Sequence, residues 1–296
     1  MTFLLSYYRA GNRSFFTLTL LPVKLTFIHM IQRIRKQTVR RNLLIRWCLF
    51  FLCVGILFHT NNTVYAMEQK LKPPYVKNVG HRGKINIWIV DGTYVRTHLD
   101  EEFTNYGQHF AFKCIPENEF WLDKEAENNE QRFFIDHLLT EHKLMARGVP
   151  YDDALEAADK IEMAERKKSG DVGKLTKGGN LPDPSKVHVR LWKKLESGLS
   201  VWIVNGRLVR SGFDDDFTEG GHDYVYEFVP RDEVWIDNDL EELERPYVLL
   251  HELHERNLMA KGWTYDKAHE DSSKLEYHYR HHPNELHSAL VKEGWE

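Results

Sequence analysis

Trp88-Ile89-Val90-Asp91-Gly92-Thr93-Tyr94-Val95-Arg96 returns 114 residues later as Trp202-Ile203-Val204-Asn205-Gly206-Arg207-Leu208-Val209-Arg210. The offset holds without a gap as far as Arg166 and Arg280. Asp100, Phe103 and Thr104 match Asp214, Phe217 and Thr218; Pro116, Glu119, Trp121 and Asp123 match Pro230, Glu233, Trp235 and Asp237. The chain therefore carries one unit twice. Two copies make a tandem duplication rather than a solenoid, which needs three or more repeats.

Within the unit, Asp91-Gly92 and Asn205-Gly206 interrupt apolar runs and predict tight hairpin turns, because such turns demand positive φ. The expected strands are 85–90 with 93–96, then 110–115 with 120–122, and in the second copy 225–229 with 234–236. Helices are predicted at 127–147 and 151–167, and again at 245–261 and 265–279. Gly148 and Gly262 stand where a left-handed cap would end the first helix of each pair. The short links after them force antiparallel helical hairpins. The expected fold class is α+β: two tandem duplicated domains, each a small antiparallel sheet followed by an antiparallel helical hairpin. They cover 73–167 and 187–282, with a Gly-, Lys- and Pro-rich linker at 168–186 and a polar tail at 283–296 expected to fray.

Residues 1–66 read differently. A basic region including Arg33, Arg35, Lys36, Arg40, Arg41 and Arg46 precedes the apolar run 47–58. Twelve residues suit a signal-peptide core better than a bilayer span. Val64-Tyr65-Ala66 offers a cleavage site, with Met67 as the mature start. The expectation is export to a periplasmic or extracellular space. The alternative is a membrane anchor through residues 43–58, and membrane contact is expected only if the leader stays uncleaved. Of three cysteines, Cys48, Cys53 and Cys114, a cleaved chain keeps only Cys114. No internal disulfide is then possible, and Cys114 is expected to pack as a small apolar strand residue.

A net charge of −4 gives no reason to expect a nucleic-acid partner. Sixteen histidines are many, and nine lie from His188 onward, which directs attention to the second copy. There His251 and Glu255 stand four apart on one helical face. That face also carries Val248, Leu258 and Met259, so the pair sits where a helix normally buries carbon. Buried charges must be paired or bound. His269 lies seven residues after Gly262, as Glu255 lies seven before it, so the two face each other across the hairpin. Glu276 follows His269 by two helical turns. His251, Glu255, His269 and Glu276 can therefore converge, and two imidazoles with carboxylates suit Zn2+ or another divalent transition metal. His222, after Gly220-Gly221, is placed as a possible site-mouth residue. The first copy repeats His137, Glu141 and Glu162 but has Leu138 and Leu155 opposite Glu252 and His269. Its set is expected to be structural.

His251-Glu252-Leu253-His254-Glu255 resembles the His-Glu-x-x-His helix of zincin metallopeptidases, with Glu in the fifth position. The resemblance covers this helical hairpin, not the repeat unit as a whole. It implies a zinc-dependent hydrolase of peptidase-like type acting on a peptide or protein substrate. His251 and Glu255 would be ligands, either His269 or Glu276 the third, and Glu252 the general base. The competing expectation is a non-catalytic exported binding or interaction module, whose His–Glu pairs clasp helices by charge-assisted hydrogen bonds.

Overall fold

The structure, a computed structural model, describes residues 74–176 and 181–296. The leader, its apolar run, its cleavage site and Cys48 and Cys53 lie outside the described residues. Among the described residues no helix is long and apolar enough to cross a membrane.

Each repeat builds the same assembly. In the first, β1 (Tyr75–Arg82) and β2 (Ile85–Val90) are followed by α1 (Gly92–His98), β3 (Tyr106–Gln108) and β4 (Glu119–Asp123). The helical hairpin α2 (Gln131–Met145) and α3 (Tyr151–Lys168) completes it. After α4 (Asp171–Leu175), the second repeat gives β5 (His188–Lys194), β6 (Ser200–Val204), α5 (Gly206–Gly212), β7 (Gly220–His222) and β8 (Glu233–Asp237). Its hairpin is α6 (Arg245–Ala260) and α7 (Tyr265–His281). The fold is α+β in two similar halves, each a four-stranded sheet followed by helices.

The strand details differ from the sequence expectation. Asp91 and Asn205 do not open hairpins. Their side chains accept from the backbone N–H of Tyr94 and Leu208, at 3.2 and 2.8 Å, and so cap α1 and α5. The same short polar residues favour caps and turns, so local sequence does not separate the two outcomes. β2 instead pairs with β1, through a turn at Gly83. Because α1 carries the chain back along the sheet, β4 runs parallel to β2, in the order β1-β2-β4-β3. The sheets are therefore mixed, not wholly antiparallel: the central pair is parallel and the outer pairs antiparallel. Residues 110–115 and 225–229 form turns rather than strands, and Cys114 packs half-buried within one of them.

Alternation along the strands makes three layers. Ile87, Ile89, Phe120 and Leu122 face the hairpin residues Phe134, Ile135 and Leu138. Val90 and Trp121 face the other way, onto Val95 of α1, Phe103 and Ile115. The second half repeats this with Val201, Ile203, Val234 and Ile236 against Leu249, Leu250 and Leu253. Gly148 and Gly262 end α2 and α6 at φ 83° and 89°, which a side chain would strain.

Two segments expected to be loose are folded among their described residues. In 168–186, Asp171 bonds Arg207 at 2.7 and 2.9 Å, and Leu175 is buried with Val209 and Phe217. In the tail, α8 (Leu286–Lys292) buries Leu286, Ala289 and Leu290 against the second core, and Trp295 meets Trp192. The i, i+3, i+4 spacing of those three is a helical stripe too short to stand out from the polar residues around it.

The halves join through a reciprocal exchange of charges. Arg96 reaches Glu244 of the second half at 3.1 Å, and Arg210 reaches Glu130 of the first at 2.5 Å. Glu241 N–H donates to Glu125, and Glu127 N–H donates to Asp239, again with corresponding residues exchanged. Both arginines are buried. Arg96 also contacts Asp123, Glu125 and Glu219, each at 2.8 Å. Burial pushes Glu125 up to about 7 and Glu219 up to about 8, so a share of this negative charge is neutralised by protons.

Candidate metal centre

Helix α6 is enclosed on two sides. Leu249, Leu250 and Leu253 join the sheet core, while His251 and Glu255, one turn apart, face α7. Antiparallel packing after Gly262 brings His269 opposite them. Three donor atoms meet: His251 Nε2, Glu255 Oε2 and His269 Nδ1. The edges of the triangle are 3.1 Å between the imidazoles, 2.8 Å from His269 to Glu255 and 3.6 Å from His251 to Glu255.

This set of donors could hold a divalent metal such as zinc. Neighbouring donors of a tetrahedral zinc with ligands at about 2.0–2.2 Å stand about 3.3–3.6 Å apart, so all three edges lie within about 0.5 Å of that separation. Protons alone serve the cluster poorly. His269 Nδ1 faces His251 Nε2, Glu255 Oε2 and the Tyr265 hydroxyl at 3.1, 2.8 and 3.3 Å, yet one ring nitrogen can hold only one proton. A cation would satisfy the imidazole and carboxylate lone pairs together. His269 retains about a third of its side-chain exposure, at 32 %, which leaves one side open to solvent.

The remaining residues brace the triangle. Glu276 is not at the convergence point; its Oε2 lies 3.0 Å from His251 Nδ1, behind the ring. Arg280 donates to the other Glu276 oxygen at 2.9 and 2.7 Å. Burial works against charge on Glu276, but His251 and Arg280 outweigh it and hold the carboxyl at about 2. His222 is not at a mouth: it is fully buried on β7. Its Nδ1 accepts the Tyr224 backbone N–H at 3.2 Å, which assigns the proton to Nε2, and Nε2–H donates to Glu255 Oε1 at 3.1 Å. These are the orienting contacts that metal ligands receive from the groups behind them.

Burial opposes charge on His269 and His251, but the carboxylates dominate. Glu102 and Glu255 raise His269 to about 9, and Glu255 with Glu276 raise His251 well above the usual imidazole range. Glu255 is held far below the usual carboxylate range by His222, His251 and His269 in spite of its burial. Glu252 is different. Among the described residues it makes no hydrogen bond, and burial with the neighbouring Glu255 charge pushes it up to about 8. Gly220 gives it room, since a Cβ there would lie 3.0 Å from Glu252 Oε1.

The first half keeps the braces and lacks the centre. Glu141 is 3.6 Å from His137, and Glu162 is 2.9 Å from His137 Nδ1, a close charge contact without hydrogen-bond alignment. Gln108, in the place of His222, donates to Glu141 Oε1 at 3.1 Å, and Arg166 holds Glu162. Leu155 and Leu138 replace His269 and Glu252. Tyr106 replaces Gly220, and its ring stacks on Phe134 and meets His137 edge-on, where in the second half Glu252 and Val248 approach Gly220.

Sequence reasoning passed over Glu102, whose Oε2 comes within 3.9 Å of His269 Nε2 from the other repeat. Nothing in the spacing of residues so far apart in the chain signals that approach. Comparison of the chain with protein-family models, curated proteins and solved structures finds no match, so the reading of the site rests on its geometry.

Proposed function

We propose that the second half is a zinc-dependent hydrolase of peptidase-like type, acting on a peptide or protein substrate outside the cytoplasm. The triangle of His251, Glu255 and His269 donor atoms carries this reading. Support comes from the unpartnered Glu252 beside it and from the loss of both Glu252 and His269 in the first half. The order His251-Glu252 followed by Glu255 also resembles the zincin helix, and the basic and apolar leader supports export.

Bound zinc supplies a Lewis acid that polarises a carbonyl and lowers the pKa of water. His251 presents Nε2 because Glu276 accepts from Nδ1. His222 fixes one Glu255 oxygen and leaves the other free for the centre. Glu252 takes the proton of the attacking water and returns it to the leaving amine. A carboxyl whose pKa lies near the working pH suits both steps.

The rival reading, a binding module with duplicated helix clasps, is favoured by one observation: the first half keeps the His137–Glu141–Glu162 arrangement without Glu252 or His269. Metal content and peptide hydrolysis by the full chain separate the two. Glu252→Gln should retain zinc and lose about 10²–10⁴-fold in rate, as removal of a general base does. His251→Ala should lose both zinc and activity. A wild-type chain that takes up no divalent metal would rule out the hydrolase.

A further inference from the structure

Two separate routes, one through side chains and one partly along the β7 backbone, run from the metal centre to a single residue of the other repeat. The first leaves His251 Nδ1 for Glu276 at 3.0 Å and passes to Arg280 at 2.7 Å. It continues from Arg280 to Glu244 at 2.8 Å and ends at Arg96, 3.1 Å from the same Glu244 oxygen. The second leaves Glu255 Oε1 for His222 at 3.1 Å and follows β7 back to Glu219. Glu219 Oε1 lies 2.8 Å from Arg96 Nη1.

Glu219 has φ 61°, the left-handed region that a non-glycine residue enters at a cost. A hydrogen bond from the buried Arg96 Nη1 to its Oε1 at 2.8 Å anchors it there, one residue before the Gly220-Gly221-His222 strand. The first repeat has Asn105 at the matching position, without the positive φ. Arg210, the counterpart of Arg96, contacts Glu130, Asp237 and Asp239 and the carbonyl of Phe217. Its side-chain path leads through Glu130, Arg166 and Glu162 to His137 of the first half.

We propose that Arg96 is the positioning residue of the second half's metal centre, fixing His251 through Glu244–Arg280–Glu276 and Glu255 through Glu219 and His222. The first repeat is then a brace for a site it does not itself contain. The planar fork of arginine matters here, since its separate N–H groups reach Glu219 and Glu244 at once, which a lysine ammonium cannot reproduce. This inference rests on the metal-centre reading above.

Arg96→Lys and Arg210→Lys form a matched pair: both keep a positive charge, both disturb a buried exchange between the repeats, and only Arg96 leads by side-chain contacts to His251. In the full chain, Co2+ affinity and the visible ligand-field spectrum are measured for each, with imidazole 15N shifts of His251 and His222 in the metal-free chain. Arg96→Lys should weaken Co2+ binding about ten-fold or more and alter the spectrum, as loss of a ligand's orienting group does. Arg210→Lys should leave both unchanged. Glu219→Ala, which cuts one route only, should move the His222 shifts and leave those of His251 in place. Equal effects from the two arginine variants, on affinity and on the shifts, would overturn the proposal. If the wild-type chain binds no Co2+, the hydrolase reading falls, and the imidazole shifts still decide the role of Arg96.

Discussion

Glu276 Oε2 lies 3.0 Å from His251 Nδ1, on the side of the ring away from His269 and Glu255. An imidazole held this way presents its other nitrogen in a fixed direction with raised basicity. Glu276→Gln keeps an acceptor and removes the charge. It should weaken zinc binding about 10–100-fold while the ligand set stays intact, as measured by chelator competition.

Metal binding should release protons. Despite burial, Glu102 and Glu255 raise His269 to about 9, and Glu255 with Glu276 raise His251 well above the usual imidazole range, so at neutral pH protons occupy sites that a metal needs. Raised pKa values mean that affinity is suppressed below them and climbs as pH rises toward 9. Calorimetry in buffers of different ionisation enthalpy should find at least about one proton released per metal near pH 7. Affinity that stays flat from pH 6 to 9 would contradict the pairing of these imidazoles with Glu255 and Glu276.

Gly220 sets the room around Glu252. A methyl group there would stand 3.0 Å from both Glu252 Oε1 and Val248 Cγ1. Its φ lies outside the left-handed region, so alanine fits the backbone and crowds only the side chains. Gly220→Ala should therefore cut hydrolysis about ten-fold or more by displacing the base, while zinc stoichiometry is unchanged. Loss of zinc instead would show that the substitution acts through β7 and His222.

The first half should accept a rebuilt centre. His137, Glu141 and their braces Glu162, Gln108 and Arg166 are already in place. Leu155→His with Tyr106→Gly supplies the missing ligand and opens the space above it. Bound zinc should rise from about one to about two per chain, measured by elemental analysis after dialysis. No gain would mean that the two braced pairs differ in geometry more than their residue types indicate.

The duplication, both helical hairpins and their glycine stops were legible because they depend on neighbours in sequence. So was the facing of Glu255 and His269, since residues equally far from Gly262 meet across a hairpin. Asp91 and Asn205 misled because a helix cap and a hairpin turn use the same residue types. The parallel pairing of β2 with β4 follows from the path through α1, which local periodicity does not contain. His222 reaches Glu255 from a three-residue strand, and Arg96 reaches Glu244 across 148 residues. Neither leaves a periodic trace, so these two contacts emerged only with the fold, whereas Glu276 was legible from its helical spacing.

The reciprocal Arg96–Glu244 and Arg210–Glu130 contacts bear on how the chain matures during synthesis. The first repeat leaves the ribosome with Arg96 still lacking Glu219 and Glu244, and with Glu130 lacking an arginine 80 residues downstream. Arg96 keeps Asp123 and Glu125, and Glu130 keeps Arg166, so neither charge is stranded, but each lacks part of its buried network until the second repeat arrives. The first repeat should thus gain stability when the second arrives, and the finished chain should unfold in one cooperative transition, with a single calorimetric peak as its signature.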